Sequence, residues 1–155
     1  MNMKTVNIHA TCVAIGTKGV LILGGSGAGK SDLALRLIDD GACLVADDRT
    51  EIYVARGRLC ARAPKSIAGL MEVRGLGVIA LPYARSAVLA LAVRLGPQAE
   101  RLPEAAFYPP PAPLKMGKSL PFIMLDRAAP SAPARVRLAL AAFTKDLFRE
   151  DFNST

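Results

Sequence analysis

The octet Gly24-Gly25-Ser26-Gly27-Ala28-Gly29-Lys30-Ser31 constrains the fold more than any other part of the chain. It matches the pattern G-x-x-x-x-G-K-[ST] at every fixed position, and its two flanks differ in kind. Val20-Leu21-Ile22-Leu23 before it reads as a short buried strand, while Leu33, Ala34, Leu37 and Ile38 after it fall on one helical face. A glycine run between a buried strand and a helix can curl without Cβ clashes. Its backbone N–H groups and the helix N-terminus then surround an anion. On this reading Gly24 to Ser31 cradle the phosphates of ATP or a close relative. Lys30 contacts the β- and γ-phosphates, and the Ser31 hydroxyl ligates Mg²⁺.

The remaining periodicity predicts one mixed α/β domain over residues 1–155. Ile8 to Ile15 reads as a strand, Cys43 to Ala46 as a second buried strand, and Glu51 to Ala55 as another. Gly41 is placed to end the helix after the loop. Pro64 is placed to open a short helix through Met71. Ala87 to Leu95 suits a central strand, although its alanines leave a helix open, and Phe122 to Leu125 suits a strand. Val136, Leu140, Phe143 and Leu147 predict an amphipathic helix from Arg135 to Phe148.

Composition narrows the function classes. A 155-residue chain with 52% apolar residues can bury a core of its own. The net charge of +7 suits anionic partners. Nucleic acid is not expected among them, because the Lys and Arg residues are scattered and only five Phe and three Tyr could stack on bases. Cys12, Cys43 and Cys60 lack a CxxC spacing and sit among apolar neighbours, as free thiols of the cytoplasm do. No apolar run approaches the roughly 20 residues that a membrane-spanning helix needs.

Asp47 and Asp48 follow the second buried strand, at the end where open α/β sheets place ligand-contacting groups. Neighbouring residues there point in different directions, so two carboxylates can divide the work. One can hold a metal or its water while the other accepts a proton from an attacking hydroxyl. Spacing alone leaves open which is which.

Together, His9, GGSGAGKSDLALRLIDDG, LVADDRTEIYV and APKSIAGLMEVRGLGVI resemble the bacterial HPr kinase/phosphorylase family, in order and in separation, from His9 to about Leu81. The segment Glu72-Val73-Arg74-Gly75-Leu76-Gly77 is its most specific part. The resemblance implies a serine kinase acting on an HPr-like phosphocarrier of the phosphotransferase system, with ATP and Mg²⁺. The same site in many members runs phosphorolysis, which releases pyrophosphate. The resemblance further implies His9 as an active-site residue, Lys30 as a phosphate ligand, Ser31 and Glu72 as magnesium ligands, and Asp48 as the base. Arg101, in Glu100-Arg101-Leu102-Pro103, is similar to a catalytic arginine of the family. The implied fold is a P-loop domain with a mixed sheet, similar to the nucleotide-binding core of phosphoenolpyruvate carboxykinase and often assembled as a hexamer.

The chain departs from the pattern in three places. Ala10 stands where the family usually has glycine. The family's Arg-Pro-Gly-Arg-Asn loop, associated with dephosphorylation, has no counterpart between Phe122 and Pro133. The amino-terminal regulatory domain of longer members is expected to be absent, as in the short alphaproteobacterial form. Two other classes share the loop and the acidic pair: a small-molecule P-loop kinase and a non-catalytic ATP sensor.

Overall fold

The computed structural model describes residues 4–96, 103–115 and 119–149. Ten strands and two helices follow in order. They are β1 (Thr5–Ile8), β2 (Thr11–Ile15), β3 (Lys18–Leu23), α1 (Lys30–Asp39), β4 (Cys43–Ala46), β5 (Thr50–Ala55) and β6 (Arg58–Arg62). Then come β7 (Leu70–Val73), β8 (Gly77–Ala80), β9 (Ala87–Gly96), β10 (Phe122–Asp126) and α2 (Ala132–Lys145).

Eight strands form one mixed sheet in the order β1-β5-β6-β9-β3-β2-β4, with β10 paired to β9 beside that path. β9 runs parallel to both β3 and β10; the other neighbours in the path are antiparallel. The connections force this sheet to curl. In a flat sheet β1 and β2 would lie about 24 Å apart, at about 4.8 Å per strand. Only His9 and Ala10 join them, and the Cα atoms of Ile8 and Thr11 can be no more than about 11 Å apart. Asp47 to Arg49 impose the same restriction between β4 and β5, which are also five strand spacings apart. Both margins of the sheet are therefore drawn together where these two connectors cross.

Alternation along the strands divides the core between the two faces. Val20, Ile22, Leu91, Val93 and Leu95 point toward α1 and α2, meeting Leu33, Leu37, Val136 and Leu140. Leu21, Leu23 and Ala92 point the other way, into the curl, where they meet Cys12, Val45, Ile52 and Leu59 from both margins. A bulge at Ala90 lets β9 supply Leu89 to one cluster and Leu91 to the other. The all-apolar run of β3 is thus explained by burial on two sides.

Several elements differ from their sequence expectations. The strand expected from Ile8 to Ile15 is broken at His9–Ala10, because its halves pair with opposite margins of the sheet. The helix expected from Pro64 to Met71 is a single 3-10 turn at Lys65–Ile67. Gly69 stops it with φ of 75°, and a Cβ there would come within 2.6 Å of the Tyr83 ring. Met71 belongs instead to β7, which pairs with β8 as a separate hairpin. The alanine-rich run is the strand β9. α2 begins three residues earlier than expected because Pro133 is tolerated in its first turn. It ends at Lys145 rather than Phe148, where Asp146 turns left-handed with φ of 53° and leaves Leu147 beyond the helix and exposed. α1 ends as expected in a Schellman arrangement, with Gly41 N–H donating to Ile38 O and Ala42 N–H to Leu37 O. Arg137 of α2 donates Nη2 to the carbonyls of Leu37 and Asp40, tying the two helices together. No helix among the described residues is long and apolar enough to cross a membrane.

Cys12 is fully buried inside the curl, and burial pushes its thiol up from 9.0 to about 12. The folded state therefore keeps a proton that the unfolded chain loses above pH 9.0. This contribution to stability is intact below that pH and declines as pH rises toward about 12. Urea unfolding across this range should show a smaller alkaline loss of stability for Cys12→Ala than for the wild type.

Candidate active site

β3 and β4 run in the same direction with β2 between them, so their carboxyl ends, about 10 Å apart, share one edge of the sheet. The glycine loop leaves β3 there, and Asp47-Asp48 leaves β4 there. β2 begins at the same edge, with Thr11 opposite Ile22 and Cys12 opposite Ala46. A cleft of about 670 Å³ opens over this edge. Its walls come from the loop and α1, from the two connectors, and from the β7–β8 hairpin, and they include His9, Lys30, Ser31, Asp47, Asp48, Glu72 and Arg74.

Within the loop, Gly27 and Gly29 have φ of 75° and 96°, a region costly for residues with a Cβ. Ala28 N–H donates to Gly25 O at 3.0 Å and closes the turn. The first N–H groups of α1 have no acceptor within the helix by position, and they face the loop. Lys30, only 6% exposed, donates Nζ to the carbonyls of Gly24 and Gly25, each at 3.0 Å. Its charge is thereby held beneath the loop.

The two aspartates occupy different environments. Asp47 is 6% exposed and accepts three hydrogen bonds: from Ser31 Oγ at 2.7 Å and Thr11 Oγ1 at 3.2 Å on Oδ1, and from the Glu72 backbone N–H at 3.2 Å on Oδ2. Its carboxylate thus joins the loop, β2 and β7. The Asp48 side chain is 66% exposed and lies 2.6 Å from His9 Nε2. Asp48 has φ of 68°, and Arg49 N–H donates to Asp47 O at 2.7 Å. This is a γ-turn with the carboxylate at its apex, a rare and strained conformation.

The site residues expected from the sequence are thus largely gathered here. His9, the loop from Gly24 to Ser31, Asp47 and Asp48 meet at one edge, and Glu72 reaches it from the hairpin. Arg101 lies outside the described residues. Sequence reasoning missed Thr11, whose hydroxyl touches both aspartates. A polar residue opening the otherwise apolar strand β2 was the available signal. Arg74 was quoted only as part of a motif, although it lines the cleft.

Fold and cleft together define a class: a mixed α/β domain in which a glycine-rich strand-to-helix loop faces paired carboxylates at the strand ends. Residues 2–88 match the family model of the HPr Serine kinase C-terminal domain. The HPr kinase/phosphorylase of Clostridium tetani is 45% identical over 84 residues, spanning 53% of this chain and 28% of that protein. The solved Hpr(Ser) kinase/phosphatase from Coxiella burnetii has the same fold, with a TM-score of 0.75 over 92% of this chain and 98% of that one at 22% identity. This chain belongs to the HPr serine kinase C-terminal domain family.

The contrast between the aspartates has a measurable consequence. Asp47→Ala leaves the Thr11 and Ser31 hydroxyls and the Glu72 N–H without their acceptor, and should cost about 1–3 kcal/mol or more. Asp48→Ala removes a largely exposed side chain, leaves the φ of 68° as strained as before, and should change stability by about 1 kcal/mol or less. Denaturant titration of the two variants checks the difference.

Proposed function

We propose that this domain is an ATP-dependent protein-serine kinase whose substrate is an HPr-like phosphocarrier of the phosphotransferase system. The observation that carries the reading is the separation of duties between the aspartates. Asp47 is tied to the loop through Ser31, while Asp48 stands free in the cleft with His9 as its partner. A family whose members are named for HPr kinase activity supplies the substrate class.

In this reading the glycine loop and the α1 N-terminus bind the nucleotide phosphates. Two of the three Lys30 donors are engaged by loop carbonyls, leaving the third for a phosphoryl oxygen. Ser31 and Glu72, with Asp47 orienting Ser31, form an all-oxygen set of the kind that suits Mg²⁺. Among the described residues no group of three or more His, Cys, Asp or Glu could hold a metal ion. A cation held there would share its coordination with the phosphates of the nucleotide. Bound there, Mg²⁺ would offset phosphate charge.

Asp48 accepts the proton of the target serine hydroxyl as the oxygen attacks the γ-phosphoryl group, and the bond from that phosphorus to the β,γ-bridging oxygen breaks to release ADP. His9 keeps that carboxylate aimed: in its Nε2–H tautomer it donates to Asp48 Oδ1. Arg101 is assigned a charge-stabilising role on the family resemblance. In the reverse direction inorganic phosphate would attack the seryl phosphate, and protonated Asp48 would return a proton to the serine oxygen, giving pyrophosphate. We assign the forward reaction, because the family loop associated with dephosphorylation has no counterpart in this sequence. A phosphoenolpyruvate-carboxykinase-like core, a hexameric assembly and a cytoplasmic location complete the proposal.

Purified protein with ATP, Mg²⁺ and an HPr-like phosphocarrier should form phosphoserine, and its absence would overturn the reading. Asp48→Asn should lower kcat by about a hundredfold to ten-thousandfold, the usual scale of general-base catalysis. ATP affinity should stay within about threefold, since the carboxylate acts on the acceptor. Lys30→Met should weaken nucleotide binding as well as transfer. An Asp48→Asn enzyme of normal rate would remove Asp48 from the mechanism.

A further inference from the structure

His9, Ala10 and Thr11 form a clip across the β4–β5 connector. His9 reaches the Asp48 side chain, the carbonyl of Ala10 accepts the Thr50 hydroxyl at 2.8 Å, and Thr11 meets both aspartates. Thr11 is fully buried. Its hydroxyl has one proton, which it donates to Asp47 Oδ1 at 3.2 Å, and it accepts the backbone N–H of Asp48 at 3.1 Å. Through one oxygen it connects the buried carboxylate to the main chain of the exposed one.

The Asp48 N–H is otherwise a difficult group to satisfy. Asp48 is the central residue of the γ-turn, whose own hydrogen bond runs from Arg49 N–H to Asp47 O and leaves the central N–H outside it. A strained turn persists only where its surroundings over-determine it. Thr11 supplies that determination at the apex, and His9 supplies it at the tip of the side chain.

We propose that Thr11 is a positioning residue for phosphoryl transfer, whose hydroxyl clamps the strained turn and so aims the Asp48 carboxylate. It acts through Asp48 and touches no substrate. The kinetic part of this proposal rests on the kinase reading above; the structural part does not.

The test compares Thr11→Val, which keeps the shape and β-propensity but loses the hydroxyl, with Thr11→Ser, which keeps the hydroxyl. His9 is the only histidine in the chain, so its ring ¹⁵N resonances report its contact with Asp48 without ambiguity. Thr11→Val should move the His9 Nε2 resonance toward its position in Asp48→Ala, and Thr11→Ser should leave it at the wild-type position. With ATP and an HPr-like phosphocarrier, Thr11→Val should lower kcat by about tenfold to a hundredfold, with KM for ATP within about twofold. Thr11→Ser should recover most of the rate.

An unmoved His9 resonance in folded Thr11→Val would overturn the clamp, as would a serine variant as impaired as the valine one. If Thr11→Val does not fold, Thr11→Ser decides by itself: a His9 resonance displaced from the wild-type position in the folded serine variant, which keeps the hydroxyl, overturns the clamp. A wild-type protein that makes no phosphoserine defeats the kinase reading alone, because the histidine resonance still reports whether Thr11 holds the turn.

Discussion

Two connectors, His9–Ala10 and Asp47–Arg49, are too short for the sheet they cross, and the rest of the structure follows from that shortage. Strands at opposite margins must come together, so the sheet curls and acquires an interior. Leu21, Val45, Ile52 and Leu59, drawn from distant positions in the strand order, fill it in contact with one another. The outer face is left to α1 and α2. Burial on both sides of β3 and β9 then fixes the edge from which the glycine loop emerges.

The same constraint locates the chemistry. His9 and the aspartates stand on the connectors themselves, at the seam where the margins meet, and β2 delivers Thr11 to the seam from below. Two chemically identical side chains in succession are given opposite environments by one turn. Asp47 faces inward and is saturated with donors, whereas Asp48 is held outward at a strained apex beside His9. A regular strand end would only alternate their directions; the γ-turn also separates their solvation. The hairpin β7–β8 closes the arrangement through the Glu72 N–H, so the loop, the seam and the hairpin converge on a single carboxylate.

Elements governed by local pattern were legible in the sequence. The bounds of β4 coincide with the expected Cys43 to Ala46, and α1 with its Schellman ending follows the apolar face and Gly41. Elements governed by distant partners were not. The run from Ile8 to Ile15 has no Gly or Pro to mark a break, and the opposite pairings on its two sides are what interrupt it. Met71 satisfies a helical period as well as a strand period, and the close approach of Tyr83 to Gly69 decides between them. β6 escaped notice because its hairpin turns at Arg56-Gly57, where arginine occupies a positive-φ position usually given to Asn, Asp or Gly.

By itself the sequence determined the α/β class, the strand–loop–helix at Gly24 to Ser31, and a family resemblance strong enough to gather His9, Asp47, Asp48 and Glu72 into one hypothesis. Those features depend on periodicity, on glycine and on residue order, all local properties. The tertiary structure alone decided that Asp47 is the buried hub, that Asp48 is the exposed partner of His9, and that Thr11 connects them. These are statements about which polar groups find partners out of water. That depends on strands thirty-five or more positions apart closing around the same seam, and no window of sequence records it.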